Sequence, residues 1–366
     1  MIEQANKGSS PQLDETAPEI CARLLKSARD VSASDIHIQP LPDGSADVAY
    51  RLDGVIRPIE SLNSSVAELV IGRIKFLAKL KTYEHSLPQD GRIGGSDTGI
   101  DQELRVSTFP TVSGEKVVIR FFTEQQTGPL DQLGLDLDTL KTLQTFLNQT
   151  QGLLLLTGPS GSGKTTTIYS CLHYLRTADR RHIITIEDPV EQLIPGIMQT
   201  EVNEARGLTF PKSIRHLLRQ DPEVIVIGEI RDDETAEIAV RAALTGHQVI
   251  ATLHAGSCHG VIDRLRVMVE DRYALASVLE LIVNQRLVRR LCEPCSGKGC
   301  SRCLNSGYDG RVPLVETLRL DSKDREKLQQ SLPLTSSPQP TLRQAASKLI
   351  SLGVTNDREI KRILGT

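Results

Sequence analysis

Tryptophan is absent from this chain, and aromatic residues make up only 3% of it. Few rings are therefore available on which unstacked bases could lie. The formal net charge of −3 supplies no bulk basic field for a phosphate backbone. A nucleic-acid translocase gains little support, and no nucleic-acid partner is expected. No apolar run approaches the ~18 residues that a bilayer-spanning helix needs. The first ten residues, Met1 to Ser10, hold no apolar signal-peptide core. The expected location is cytoplasmic, with any membrane role acting through partners. Cysteines are few and unevenly placed. Of seven, Cys21, Cys171 and Cys258 are scattered, while Cys292, Cys295, Cys300 and Cys303 fall within twelve residues. In a reducing compartment, paired Cys-x-x-Cys units point to metal rather than to disulfide.

What remains is an ordinary globular composition, with 366 residues, 39% of them apolar and 24% charged. That length predicts two or three domains. Residues 1–18 are polar and read as a flexible leader. Residues 19–122 read as a small α+β domain. Ile20, Leu24, Leu25 and Ala28 follow helical spacing, and a second helix fills 64–82. Strand-like runs cover 35–39, 47–52, 103–109 and 116–122, the last two forming a hairpin. Residues 123–130 are poor in apolar side chains and read as a linker.

From residue 131 to 366 the pattern becomes strands alternating with helices. Apolar runs at 152–157, 183–186, 224–227 and 249–253 are separated by helical segments near 164–178, 211–220 and 232–245. This alternation predicts an α/β fold with a parallel sheet and helices on both faces. Such sheets bind ligands beyond the carboxyl ends of their strands. The four runs lead into a Gly-rich loop, into Glu187-Asp188, into Glu229 and into His254. Residues 260–290 read as largely helical. The cysteine segment follows, then a Ser/Pro-rich loop at 331–340 and closing helices at 342–352 and 357–364, with Gly353 ending the first.

The loop is Gly158-Pro159-Ser160-Gly161-Ser162-Gly163-Lys164-Thr165-Thr166. Its glycines let backbone N–H groups converge on phosphate oxygens, and the following helix points its positive end at them. Lys164 would reach the β and γ phosphates of ATP, and Thr165 would ligate Mg²⁺. Val224-Ile-Val-Ile-Gly-Glu229 is a Walker B-like strand whose acid can orient or deprotonate water. Glu187, Asp188 and Glu191 crowd a phosphate site unless Mg²⁺ or arginines offset them. Otherwise they form a helix cap and a solvated turn. His254, and less so His247, could hydrogen-bond a γ-phosphate. For Arg92, Arg105 and Arg120 spacing alone favours surface ion pairs. Cys292, Cys295, Cys300 and Cys303 supply the four thiolates of a structural zinc site, across a spacer of four residues that is short for two knuckles. The alternative is four reduced thiols in a surface loop.

Taken in order, these blocks resemble the ATPases that power type II secretion and type IV pilus assembly. Ala33-Ser-Asp-Ile-His-Ile-Gln-Pro40, Arg51-Leu-Asp-Gly-Val55, Gln89-Asp-Gly-Arg-Ile93 and Arg105–Lys116 are similar to the family's second N-terminal domain. Ile184–Glu191 resembles its Asp box, Gly228–Asp232 its Walker B and Thr245–His254 its His box. Gln285–Cys292 resembles the lead into its tetracysteine loop. The resemblance implies a RecA-like P-loop domain, a smaller α+β N-terminal domain and a helical C-terminal end. It implies a homohexamer in which Arg105 and Arg120 complete the ATP site. Glu229 takes the position of the catalytic base, and Glu187 assists with Mg²⁺ or water. An inner-membrane platform protein and a cytoplasmic adaptor domain are the implied partners.

Longer members carry a further N-terminal docking domain, whereas this chain begins near the second one. Position 39 is Gln where Glu is common, and the cysteine loop is contracted. The leading expectation is a secretion or assembly motor. A pilus retraction motor is similar in its core but lacks the tetracysteine loop, and DNA-uptake motors are short like this chain. A nucleotide-gated scaffold with little turnover is the alternative of another class.

Overall fold

The computed structural model of the protein describes residues 15–95, 100, 102–121, 128–178 and 181–365. Most of the expected leader, Phe122 and the first five linker residues lie outside them. The chain divides into one compact unit up to Gln125 and another from Gln126.

The first unit runs α1 (Ala17–Asp30), β1 (Asp35–Pro40), β2 (Ala46–Leu52), β3 (Val55–Leu62), α2 (Ser64–Leu77), β4 (Gln89–Ile93), β5 (Leu104–Thr111) and β6 (Gly114–Phe121). These strands form one antiparallel sheet in the order β3-β2-β1-β6-β5-β4. One face is covered by the apolar stripes of the two helices. Ile20, Leu24, Leu25 and Ala28 of α1 and Val70, Ile71 and Ile74 of α2 share a core with Ile36, Ile38, Val106 and Ile119. The sequence pattern missed β3 and β4. β3 is an edge strand interrupted by Pro58 at a register shift, and β4 is a short polar edge strand. α2 is tied to the β5–β6 hairpin by a buried ion pair. Lys75 Nζ donates to both Glu115 oxygens, at 2.9 and 2.6 Å, and to the Glu84 carbonyl.

The second unit contains α3 (Leu137–Leu147), β7 (Gly152–Thr157), α4 (Lys164–Ala178), β8 (Ile183–Glu187), β9 (Met198–Glu201), α5 (Phe210–Leu217), β10 (Val224–Ile227), α6 (Asp233–Leu244), β11 (Gln248–Thr252), α7 (Cys258–Met268) and α8 (Arg272–Val278). It continues with β12 (Leu279–Leu291), β13 (Tyr308–Arg319), α9 (Ser322–Gln329), α10 (Leu342–Ser351) and α11 (Asp357–Leu364). The strand order is β13-β12-β7-β11-β10-β8-β9, parallel except for β13. β7, β8, β10 and β11 are buried at every position, so they read as mainly apolar runs rather than alternating ones, with most of their polar residues at the strand ends. Two cores flank this sheet, one containing residues of α5 to α8 and the other residues of α3 and α4.

The helical expectation for 260–290 is corrected here. α7 and α8 end by Val278, and Leu279–Leu291 is a strand between β7 and β13. A buried strand and a buried helix segment look alike in an apolar run, and pairing on both edges decides the outcome. After Ser351, Gly353 takes φ +67°, the left-handed geometry of a helix stop. No helix among the described residues is long and apolar enough to cross a membrane.

Candidate nucleotide site

β7 delivers the chain into the Gly-rich loop, and α4 begins at Lys164. Gly158 cannot be replaced without moving backbone, because a Cβ there would lie 2.3 Å from the Gln285 carbonyl. Lys164 Nζ donates to the Gly158 and Pro159 carbonyls at 2.9 and 3.0 Å. Burial lowers its pKa, the Glu229 carboxylate opposes that shift and Arg286 adds to it. A cavity of about 480 Å³ opens over the loop, lined by Ser160 to Thr166 and by side chains from five strands or strand ends. This volume falls within the usual range for small-molecule pockets.

One side of β7 carries the acids and the histidine. Glu229 follows β10, His254 follows β11, and Glu187 ends β8. His254 Nε2 lies 3.1 Å from Glu229 Oε1. Arg231 Nε donates to Glu229 Oε2 at 2.7 Å, and its Nη1 to Asp188 Oδ2 at 3.1 Å. The hydrogen bond that Arg231 donates to Glu229 raises the Arg231 pKa. One guanidinium thus offsets two of the crowded acids, and it also lies over the Phe210 ring at 5.8 Å. Asp232, in the same block, serves the fold instead, because its carboxylate caps α6 by accepting from Thr235 N.

Glu187 is buried and held by three donors. Tyr169 Oη donates to Oε2 at 2.5 Å, while Thr185 Oγ1 and Gln199 Nε2 donate to Oε1 at 2.6 and 3.0 Å. The Tyr169 oxygen in turn accepts from the Glu191 and Gln192 amides. Burial, then the bond to Glu187, raises the Tyr169 pKa. Thr165 and Thr166 line the cavity at the first turn of α4. His247 is not brought to it. It precedes β11 at the far end from His254, and its Nδ1 lies 2.8 Å from the Ala242 carbonyl at the end of α6.

The other side of β7 holds a residue that motif reading passed over. Gln285 of β12 is buried; its Nε2 donates to the Ser162 carbonyl at 2.9 Å, and its Oε1 accepts from Thr167 Oγ1 at 2.8 Å. It clamps the loop from below. Tyr169 was also missed. Spacing offers a signal for it, since it lies on α4 five residues after Lys164.

In the first unit, cross-strand register aligns Arg51, Asp35, Arg120, Arg105 and Arg92 in one row across β2, β1, β6, β5 and β4. Arg105 and Arg120 therefore stand directly opposite each other on the two strands of the hairpin. Asp35 offsets part of this charge, accepting from Arg120 Nε at 2.9 Å and lying 3.2 Å from Arg51 Nε. Arg92 pairs with Glu103 at 3.1 Å, and Arg105 lies 3.9 Å from Asp90.

The four clustered cysteines meet. Their sulfurs lie within 4.8 Å of one another, and three pairs are 3.8 Å apart. Zn–S bonds of about 2.3 Å in a tetrahedron separate sulfurs by about 3.8 Å, so the donor set fits that ion. The short spacer turns through Ser296, Gly297 and Gly299, all at positive φ. Burial pushes the Cys292 thiol up to about 12, whereas at Cys303 N–H groups of Cys300 and Gly307 outweigh burial and bring the thiol down to about 6. A thiolate is the form that a metal binds.

The loop between strand and helix, with acid and histidine on neighbouring strand ends, defines a P-loop ATPase. The sequence matches the family model "Type II/IV secretion system protein" over residues 12–362, and the chain belongs to that family. It is similar to the protein transport protein HofB homolog of Haemophilus influenzae, with 39% identity over 96% of this chain and 74% of that one. It is also similar to the type II secretion system protein HxcR of Pseudomonas aeruginosa, with 40% identity over 94% of this chain and 76% of that one. Among solved structures it resembles the ADP-bound pilus retraction motor PilT, with TM-score 0.63, 28% identity, and coverage of 92% and 95%.

Proposed function

We propose that this chain is the ATP-hydrolysing subunit of a hexameric motor that drives type II secretion or the assembly of a type IV pilus or pseudopilus. The observation that carries the reading is the meeting of Lys164, Glu229 and His254 around one phosphate cradle, in a member of the secretion family. Backbone N–H groups of the loop Gly158–Thr166, other than at Pro159, hold the phosphates, and Lys164 neutralises the β and γ charge. Glu229 takes the proton of the attacking water, while His254 and Arg231 fix the position of its carboxylate. Mg²⁺, when bound beside Thr165, supplies further charge neutralisation between the phosphates. Glu187, held by Tyr169, Thr185 and Gln199, orients the water on that side.

The motif positions of Arg105 and Arg120 assign them to phosphate charge during transfer. The cysteine cluster is assigned a structural Zn²⁺, and it favours an assembly or secretion motor over a retraction motor. An inner-membrane platform protein and an adaptor domain complete the machine on the cytoplasmic face. The competing reading is a nucleotide-gated scaffold. The test is steady-state ATP hydrolysis by the purified protein, its Lys164→Ala and Glu229→Gln variants, and Arg105→Ala. Each substitution is expected to remove most of the turnover. Equal turnover in wild type, Lys164→Ala and Glu229→Gln sinks the mechanism, and binding without turnover in wild type returns the scaffold.

A further inference from the structure

Three polar side chains are buried side by side beneath the tip that follows β11. Cross-strand register sets Thr157, Asn284 and Glu316 in one row across β7, β12 and β13. All three are buried, where a polar group costs free energy unless it is hydrogen-bonded. Their bonds converge on the tip His254-Ala255-Gly256. Thr157 Oγ1 donates to the Ala255 carbonyl at 3.1 Å and accepts from the Ala255 amide at 2.8 Å. Asn284 Nδ2 donates to the Gly256 carbonyl at 3.2 Å and to Glu316 Oε1 at 2.9 Å. Glu316 also accepts from Cys258 N, just past the tip, at 3.1 Å. Arg286 lies two residues after Asn284, on the same side of β12. Its Nη2 donates to the Gly256 carbonyl at 2.8 Å, and its Nη1 to Asn284 Oδ1 at 2.7 Å and to the Gln285 carbonyl at 3.0 Å. Burial lowers the Arg286 pKa, and the Glu316 carboxylate opposes that shift. Arg264 Nη1 takes the His254 carbonyl at 2.7 Å. Each of the three tip carbonyls is thus held by a side chain from α7, β7 or β12. His254 lines the cavity over the phosphate loop, and Arg286 stands outside that lining.

We propose that Arg286 is a positioning residue for His254. Through the Gly256 carbonyl, and backed by Asn284 and Glu316, it holds the tip so that the imidazole stays between the Gly158 carbonyl and Glu229 Oε1. β11 ends at Thr252, so the tip lies beyond the strand and side chains supply its hold. A guanidinium suits this task, because its planar fork fixes direction as well as distance. The inference rests on the ATPase reading above and deepens it, by naming what places the histidine that places the base.

The experiment is a double-mutant cycle on steady-state ATP hydrolysis, with wild type, Arg286→Met, His254→Gln and the double variant, beside ADP affinity by calorimetry. Arg286→Met keeps an aliphatic stem and removes both prongs. It is expected to lower kcat about tenfold, part of what misplacing a catalytic group can cost, and to keep the ATP KM and the ADP affinity within about twofold. In the His254→Gln background the same substitution should change kcat by less than about twofold, because residues that act as a unit are not additive. A loss of equal size in both backgrounds overturns the proposal, since Arg286 then acts apart from His254. So does a loss of ADP affinity as large as the loss of kcat, which would make Arg286 a phosphate ligand. If Arg286→Met does not fold, Arg286→Lys, which keeps the charge and loses the fork, goes through the same cycle under the same criteria. If wild type does not turn over, the ATPase reading falls instead, and hydrogen exchange of the tip, residues 253–257, decides the positioning. Faster exchange there in the Arg286 variant supports it, and unchanged exchange overturns it.

Discussion

His254 bridges the phosphate loop and the acid: its Nδ1 lies 3.2 Å from the Gly158 carbonyl and its Nε2 3.1 Å from Glu229 Oε1. A neutral imidazole donates from only one nitrogen, and here both nitrogens face oxygen. Glutamine at 254 cannot supply both links. His254→Gln is expected to lower kcat by roughly 10- to 100-fold, within the range of a positioned acid–base partner, with little change in ADP affinity. Single-turnover hydrolysis beside ADP calorimetry separates the two, and unchanged kcat would remove His254 from the mechanism.

Tyr169 is expected to act through Glu187. Tyr169→Phe removes the donor to Glu187 Oε2 and the acceptor for the Glu191 and Gln192 amides. Leaving such buried groups unmatched costs about 1–3 kcal/mol. The expected result is a fall in kcat that exceeds any change in nucleotide affinity, together with a lower Tm. A lower Tm with unchanged kcat would show a purely structural role.

The cysteine cluster predicts one zinc per chain by elemental analysis of protein purified without added metal. Cys292 N donates to the Gly307 carbonyl, and Leu291 N to Val354 ahead of α11, so the cluster closes a loop pinned to the C-terminal helices. Chelation, or Cys300→Ser, is expected to lower Tm and expose that region to protease. Protein with no metal and an unchanged Tm would leave four plain thiols.

Glu359 sets an acid limit on the same region. Its carboxyl is buried, which pushes its pKa up, but Arg362 and Arg289 more than compensate and hold it at about 2, below the ordinary 4.5. A depressed folded pKa contributes stability above the unfolded value and loses it as pH falls through the folded one. The contribution near pH 7 is about 3 kcal/mol and should fade between about pH 4.5 and 2. Denaturant titration across that window should show the decline. Glu359→Gln should flatten it while lowering neutral-pH stability, because Arg289, packed 3.9 Å from the Tyr308 ring, loses its buried partner.

The sequence by itself determined the loop, because a glycine-rich turn between an apolar run and a helix admits few other uses. It also determined that Glu187, Glu229 and His254 end neighbouring runs, since fully buried parallel strands must be short and apolar and leave their polar groups at the tips. The four cysteines were legible as one cluster from spacing alone. Tertiary structure decided the rest. Leu279–Leu291 became a strand because β7 and β13 pair with its two edges, a fact that no local period carries. That choice put Gln285 under the loop and Leu287 and Arg311 beside the cavity. Strand direction separated His247 from His254, which sequence had left in one block. Register turned Arg105 and Arg120 into direct neighbours within a row of charge. Pairing across strands far apart in sequence depends on which edges the folded sheet offers, and those edges exist only once the whole sheet has formed.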